Sequence, residues 1–408
     1  MDEKYLPKHK QRLLAEVRKN QTAYVGKSTK GAALIKDLAE AMRGNYSAMA
    51  RLKEAISSQD FPILFGQVTQ LALQGQYARL PQQWTAFSSR FTATNLKNQR
   101  LMDWNPTFGQ LPAQNGGETR HPFALPRIPE LTEFPTFKLE ARGQEWGINK
   151  YGARFPFSFE AFLNDELQVI QDMPAEMAAM GRDTEDVLTT GVIASATGPN
   201  PDYFNADWDF GTLANQGNIL EGNPPLSVNA LELAMQEIGL RRINGLQGRP
   251  VVVPNGWVLV VPPSMEITAN EIAAIASQEI VRGDPDSAAG QVRFVRANQA
   301  RGRFTVQVNQ WLPLIDTSDT AATTWYLLPQ GGTTGTRKAI VTTFLAGNEL
   351  PELRIKNDAG SNIGGGDISP FQGSFVNDDV QYRVRHFVGA AGLDPSPAMV
   401  SLGTGDDS

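Results

Sequence analysis

Apolar positions along the chain keep one spacing for a stretch and then switch to another, and each switch marks an element. Val169, Ile170, Met173, Met177, Met180, Val187, Leu188 and Val192 fall at intervals of one helical face. They predict a long helix from Asp165 to about Ala196, opened by Asn164-Asp165 and started or kinked at Pro174. Its methionines read as core rather than as a cofactor box. Directly before it, Phe155, Phe157 and Phe159 alternate within residues 151–162, which predicts a strand.

A second patterned region follows a connection, residues 200–225, rich in Asn, Gly, Pro and Asp. Ser227 stands as a helix cap ahead of Leu231, Met235 and Ile238, and Gly245 to Gly248 lie beyond that helix. Strands are predicted at 251–253, 257–261, 292–295, 304–308, 325–328 and 339–344, with a helix over 265–276. Residues 227–345 therefore read as one mixed domain of helices and strands. Near the end, Val380, Tyr382 and Val384 face one way along a strand and Gln381, Arg383 and Arg385 the other. The small, acidic tail beyond Leu402 is expected to fray.

Two regions do not fit a self-contained domain. Leu34, Ile35, Leu38 and Met42, then Met49, Leu52 and Ile56 beyond Gly44, predict two short amphipathic helices, and a third covers 61–77, all ahead of any domain core. From Pro106 to Lys150, Pro106, Pro112, Pro122, Pro126, Pro129 and Pro135 exclude a continuous helix and leave any strand an edge or a bulge. Asn115-Gly116-Gly117 marks a reversal there. Glu118, Glu130, Glu133, Glu140 and Glu145 balance Arg120, Arg127, Lys138, Arg142 and Lys150, and few apolar residues remain to bury. A connection this long without its own core is either functional or an unstructured insertion. An ordered version needs a partner surface.

Composition narrows the class. With 408 residues, 41% hydrophobic and 20% charged, the chain falls among folded globular proteins of two or three domains. Its lack of cysteine removes disulfides, thiolate catalysis, iron–sulfur clusters and Cys-ligated zinc. No apolar run reaches the ~18 residues of a membrane helix. The basic start, Lys4 to Arg12, leads only to the short Leu13-Leu14-Ala15, so no secretory signal is expected and the chain is expected to stay where it is made.

Charge is distributed unevenly. Residues 1–60 hold twelve Lys/Arg against seven Asp/Glu, a net +5, which leaves −11 for residues 61–408 of the total −6. Screening over ~8 Å in physiological salt lets such an arm attract anions although the whole molecule is acidic. The other reading of the arm is a solvated helical face.

Candidate catalytic chemistry is sparse. His9, His121 and His386 are too dispersed for a zinc-protease motif and read as isolated surface or strand histidines. Gly26-Lys27-Ser28 lacks the first glycine of a phosphate-binding loop, because Gln21 stands there. The glycines at 331–335 and 364–366 read as turns. Asp207/Asp209 and Asp284/Asp286 do not continue into calcium loops, since Asn218 and Val295 occupy the twelfth position. No Gly-x-Ser-x-Gly elbow is present.

The order of parts resembles a known family. A helical arm, a Pro-rich extended loop, the stretch YGARFPFSFEAFLNDELQVIQDMPAEMAAMGRDTEDVLTTGVI, the junction WVLVVPPSMEITANEI and the terminal FVNDDVQYRVRHFVGAAGLDP are together similar to tailed-bacteriophage major capsid proteins. The similarity spans most of residues 60–400 and consists of diffuse patterns rather than one strict motif.

The resemblance implies an α+β shell fold, shared with encapsulins and herpesvirus capsids. By position it implies an N-terminal arm at 1–104, an extended loop at 105–150, a peripheral domain with a spine helix at 151–226, an axial domain at 227–345, and a return to the peripheral domain with the tail at 346–408. It implies a non-enzymatic protein without cofactor or metal that self-assembles into hexamers and pentamers of an icosahedral head around double-stranded DNA. Its place is the virion, and the host cytoplasm during assembly. Scaffold, portal and decoration proteins are further partners of such a shell, and no membrane is involved. Lys4, Lys8, Lys10, Arg12, Arg18 and Lys19 would face DNA, and Glu118, Arg120, Arg127, Glu130, Glu133 and Lys138 would contact neighbouring subunits. Some members lose an N-terminal scaffolding segment or crosslink Lys to Asn; the start at Met1 sets the expectation of no removal, and no Lys–Asn pair can be matched. An encapsulin-like cargo shell and a hydrolase with scattered site residues are the alternatives.

Overall fold

The computed structural model describes residues 70, 72–108, 130, 131, 133, 137–158, 167–208, 217–241, 251, 253, 256–282, 292–331, 338–366, 368 and 373–405. The two helices predicted within the basic arm lie outside the described residues. In chain order come a helix over 72–79 (α1), β1 (Ser89–Ala93), β2 (Gln99–Phe108), β3 (Phe137–Trp146), β4 (Asn149–Ser158) and α2 (Leu167–Ile193). Two-residue strands β5 (Ala194–Ser195) and β6 (Gly198–Pro199) follow, then α3 (Val228–Leu240), β7 (Trp257–Val261), α4 (Glu266–Ala274), β8 (Ser277–Arg282) and β9 (Val292–Ala297). The last elements are β10 (Phe304–Val308), α5 (Leu312–Ile315), β11 (Trp325–Pro329), β12 (Ile340–Leu345), β13 (Glu352–Ile355), β14 (Asp379–Gly392) and β15 (Met399–Ser401). The chain is thus α+β.

These elements form two units, each assembled from separated stretches. The first draws its described residues from 70–82, 148–185 and 344–388, and the second from 83–147, 186–343 and 389–405. Such interleaving means that neither unit can close until distant parts of the chain have met.

In the first unit, β14 pairs antiparallel with β13 on one side and β4 on the other. The alternation read from the sequence holds: Val380, Tyr382 and Val384 enter the core with Leu73, Tyr77 and Ala78 of α1 and Met173, Met177 and Ala178 of α2. Period-two and helical patterns therefore meet on one apolar surface, and each fully buried side chain of this size contributes ~1.5–3 kcal/mol. Pro174 lies inside α2 rather than at its start.

In the second unit, β7 is parallel to β10 and antiparallel to β11, which pairs in turn with β15. Val258 to Val261 are all buried, as expected of a central strand covered on both faces. Leu259 and Val261 face Leu231, Ala234 and Ile238 of α3 and Ala269 and Ile272 of α4. Ser227 does cap α3, its side chain accepting from the Ala230 N–H at 3.2 Å. The far end of α4 is closed by Asn298, whose Nδ2 donates to the carbonyls of Ile272 and Ile275 at 3.0 Å each.

Two expectations are corrected, and the Pro-rich segment is given its form. Val251 and Val253 form no strand; the flanking prolines at 250 and 254 offer no N–H and leave little room for a ladder, and Val251 instead donates its N–H to the Arg241 carbonyl at 3.2 Å and packs against the α3 core. Two ten-residue strands bracket the Pro-rich stretch, β2 reaching in as far as Phe108 and β3 starting after Pro135, and both are edge strands, as the prolines require. The tail is held as far as Gly405: Leu402 N–H donates to Asn223 Oδ1 at 3.1 Å and Gly405 N–H to the Asn223 carbonyl at 2.8 Å. A Cβ at Gly405 would lie 1.8 Å from the Gly222 carbonyl oxygen, so only glycine fits this approach.

Candidate assembly surfaces

The β2–β3 ribbon begins at the pair Gln99↔Trp146 and runs in unbroken antiparallel register to Phe108↔Phe137. Ten residues per arm at about 3.4 Å each span roughly 30 Å. Pro106 is tolerated because each strand of a two-stranded ribbon is an edge, so its missing N–H need not break a ladder. The root is anchored within the second unit. Trp146 Nε1 donates to Thr343 Oγ1 at 2.8 Å, its ring meets Phe91 edge-on at 5.5 Å, and Val341 and Leu393 complete the cluster. Arg100 pairs with Glu145 at 2.6 Å beside this root. A two-stranded ribbon alone is marginally stable in water, and β2 and β3 pair only with each other among the described residues.

The spine α2 carries polar side chains inward. In the first unit Glu185 is fully buried and receives Arg182 Nη1 at 2.9 Å, His386 Nε2 at 3.0 Å and the Tyr77 hydroxyl. Arg182 also donates from Nε and Nη2 to the Tyr77 carbonyl at 3.0 and 2.8 Å and lies 3.5 Å over the Tyr77 ring. Burial by itself would raise the Glu185 pKa, but Arg182, His386 and Tyr77 together outweigh it and hold the carboxyl at about 2. His386 Nδ1 is buried without a partner among the described residues.

In the second unit the last turns of α2 do similar work. Asp186 Oδ1 accepts from the Trp84 N–H at 2.9 Å, Thr189 meets Thr342 at 3.0 Å, and Thr190 Oγ1 accepts from Asn309 Nδ2 at 2.9 Å. Arg241, directly after α3, is almost fully buried and donates to the carbonyls of Ala398, Ser396 and Gly217, tying the end of α3 to the turn that leads into β15. Burial lowers its pKa to about 10. These buried polar contacts orient elements.

An open groove of about 520 Å³ in the second unit is lined by Val187, Leu188, Val192 and Ile315, with Asp202 its one charged lining residue. The adjacent Tyr203 hydroxyl is committed to the Asp394 carbonyl at 3.1 Å, so no acid–base pair faces the groove. Among the described residues no group of three or more His, Cys, Asp or Glu could hold a metal ion, and no helix is long and apolar enough to cross a membrane.

Of the residues singled out in the sequence, Lys4, Lys8, Lys10, Arg12, Arg18, Lys19, Glu118, Arg120 and Arg127 lie outside the described residues. Glu130 and Glu133 are exposed, and Lys138 stands on β3 opposite Thr107. The buried Glu185 cluster escaped the sequence reading because its members lie up to 309 positions apart, and His386 was read there as isolated.

A model of the family described as "Phage capsid protein" matches residues 144–399, more than half of the chain. No curated protein matches the sequence. Among solved structures, a chain from the asymmetric unit of the bacteriophage PhiM1 mature capsid is 7% identical with a TM-score of 0.42, covering 79% of this chain and 86% of that one. A chain from Microbacterium phage Oxtober96 is 12% identical with a TM-score of 0.40, over 80% and 93%. One from Mycobacterium phage Cain is 13% identical with a TM-score of 0.40, over 80% and 91%. The matched residues run from the root of the ribbon through the spine and both cores to β15, and the chain belongs to the phage capsid protein family.

Proposed function

We propose that this chain is the major capsid protein of a tailed bacteriophage, self-assembling into hexamers and pentamers of an icosahedral head that encloses double-stranded DNA. Its role is structural rather than catalytic, and its place is the virion after assembly in the host cytoplasm. The observation that carries the reading, beyond family membership, is the β2–β3 ribbon, ten residues per arm with no strand partner but itself among the described residues. A ribbon of this kind gains stability by lying on a neighbouring copy, where backbone groups and mixed charges find partners.

Within this reading residues 105–150 are the extended loop, 151–226 the peripheral domain, 227–345 the axial domain and 346–408 the return and tail. The basic arm, within 1–104, meets packaged DNA through Lys4, Lys8, Lys10, Arg12, Arg18 and Lys19. Each arm neutralises few phosphates, but many copies face one polymer and the contributions accumulate. Glu118, Arg120, Arg127, Glu130, Glu133 and Lys138 contact neighbouring copies, and scaffold, portal and decoration proteins are further partners. Sedimentation and electron microscopy of the purified chain test this. Closed particles of uniform size are expected, and monomers persisting at high concentration would contradict it.

A further inference from the structure

Three strands of the first unit bring three arginines to one level of one face. Register places Arg383 of β14 opposite Arg154 of β4 on one side and opposite Arg354 of β13 on the other. Ala153, Phe155, Leu353, Ile355, Tyr382 and Val384, their sequence neighbours, pack into the core. Alternation therefore sets the arginines on the opposite face, and all three are exposed. With neighbouring strands about 4.8 Å apart, the row gathers three positive charges across about 10 Å. Like charges directly opposite one another destabilise a sheet.

The face does not neutralise this row. One carboxylate, Glu352, is shared between Arg354 at 2.5 Å and Arg385 at 2.5–2.6 Å. Arg154 reaches Gln381 Oε1 at 3.5 Å, and Arg383 has no ionic partner among the described residues. An arrangement that costs the separate subunit stability finds its reason in an anion arriving from outside.

We propose that this sheet face is a docking surface for carboxylate side chains of a second copy of the chain, with Arg383 as the anchoring cation. Charge complementarity selects that occupant. Residues 61–408 sum to −11, so every neighbouring copy offers surplus carboxylates. Glu352 already shows a carboxylate bridging two guanidinium groups of this face, the geometry arginine favours. Glu352 and Asp379, on the same face, interrupt the positive surface. That pattern suits carboxylates at separate points and repels a continuous phosphate chain.

The proposal rests on the shell reading above, and its test separates the two. Particle yield is measured for the parent, Arg383→Glu and Arg383→Lys, with thermal unfolding of each subunit as the control for folding. Arg383→Glu is expected to melt within a few degrees of the parent and lose particle yield at least tenfold, while Arg383→Lys retains particles. Carbodiimide treatment of the Arg383→Lys particles should then join the introduced amine to a carboxylate of another copy, an amide identified by mass spectrometry. If Arg383→Glu does not fold, the crosslink in Arg383→Lys decides alone, and its absence overturns the proposal. Undiminished particles from folded Arg383→Glu overturn the docking surface and leave the shell reading intact. A parent that never assembles overturns both. Loss of binding to a 30-base-pair duplex in Arg383→Glu, with assembly unchanged, would assign the face to nucleic acid instead.

Discussion

Glu185 of α2 and His386 of β14 meet in the interior of the first unit, Oε1 to Nε2 at 3.0 Å, although 201 positions separate them in sequence. This contact joins the spine to the strand that carries the sheet. It also sets a pH dependence for the fold.

The Glu185 carboxyl is held at about 2 in the folded chain against an ordinary value of 4.5. A depressed folded pKa contributes stability that is fully present above about 4.5 and is lost as pH falls toward 2. The difference corresponds to roughly 3 kcal/mol at neutral pH. Denaturant titrations of unassembled subunits at pH 7, 4 and 2.5 should show the steepest loss between the last two. Glu185→Gln should be destabilised by about 3–5 kcal/mol at pH 7, because Arg182 then stays buried without its counter-charge. An unchanged denaturation midpoint would remove this role.

Ser227→Ala removes the acceptor for the Ala230 N–H at the start of α3. A loss of about 1 kcal/mol is expected in urea unfolding, with no change in the strands of the second unit. Ser227→Asp, which restores an acceptor, should recover most of it.

Gly405→Ala places a methyl group where the Gly222 carbonyl stands. The tail should detach from Asn223, and amide exchange at Leu402 and Gly405 should rise well above that of the parent, with β15 still protected. Unaltered protection at these two amides would show that the approach can relax.

Much of the secondary structure was legible in the sequence, for a physical reason. Burial imposes a pattern on an element: one-sided burial let α2 and β14 be read from the spacing of Met173 and Met177 and from the Val380, Tyr382, Val384 alternation, while β7, covered on both faces, was legible as the apolar run Trp257–Val261, and β10 as the β-branched and aromatic run Phe304–Val308. β1, β8 and β13 were not read, because short strands such as Ser277–Arg282 mix polar and apolar residues without a decisive alternation. The ribbon was concealed by Pro106, which argues against a central strand and is harmless on an edge. The arginine row was visible only as single residues: Arg154, Arg354 and Arg383 become one feature once strand register is known.

Deleting residues 110–133, between the arms of the ribbon, should leave a subunit with an unchanged melting temperature and impair particle formation severely. Sedimentation of the deletion beside the parent measures both. Normal particles would show that this segment contributes nothing to neighbours.

Replacing Lys4, Lys8, Lys10 and Arg12 with Gln should lower DNA retention in filled particles, and the deficit should shrink as salt rises, because fewer counterions are released by the weaker arm. Retention equal to that of the parent at low salt would turn the arm toward protein or solvent.

A reconstruction of assembled particles at residue resolution decides whether the ribbon grips a neighbouring subunit. Gln99–Phe108 and Phe137–Trp146 are expected to lie against a different copy of the chain in every ring of subunits. A reconstruction in which that ribbon folds back on its own subunit and touches no neighbour would contradict it.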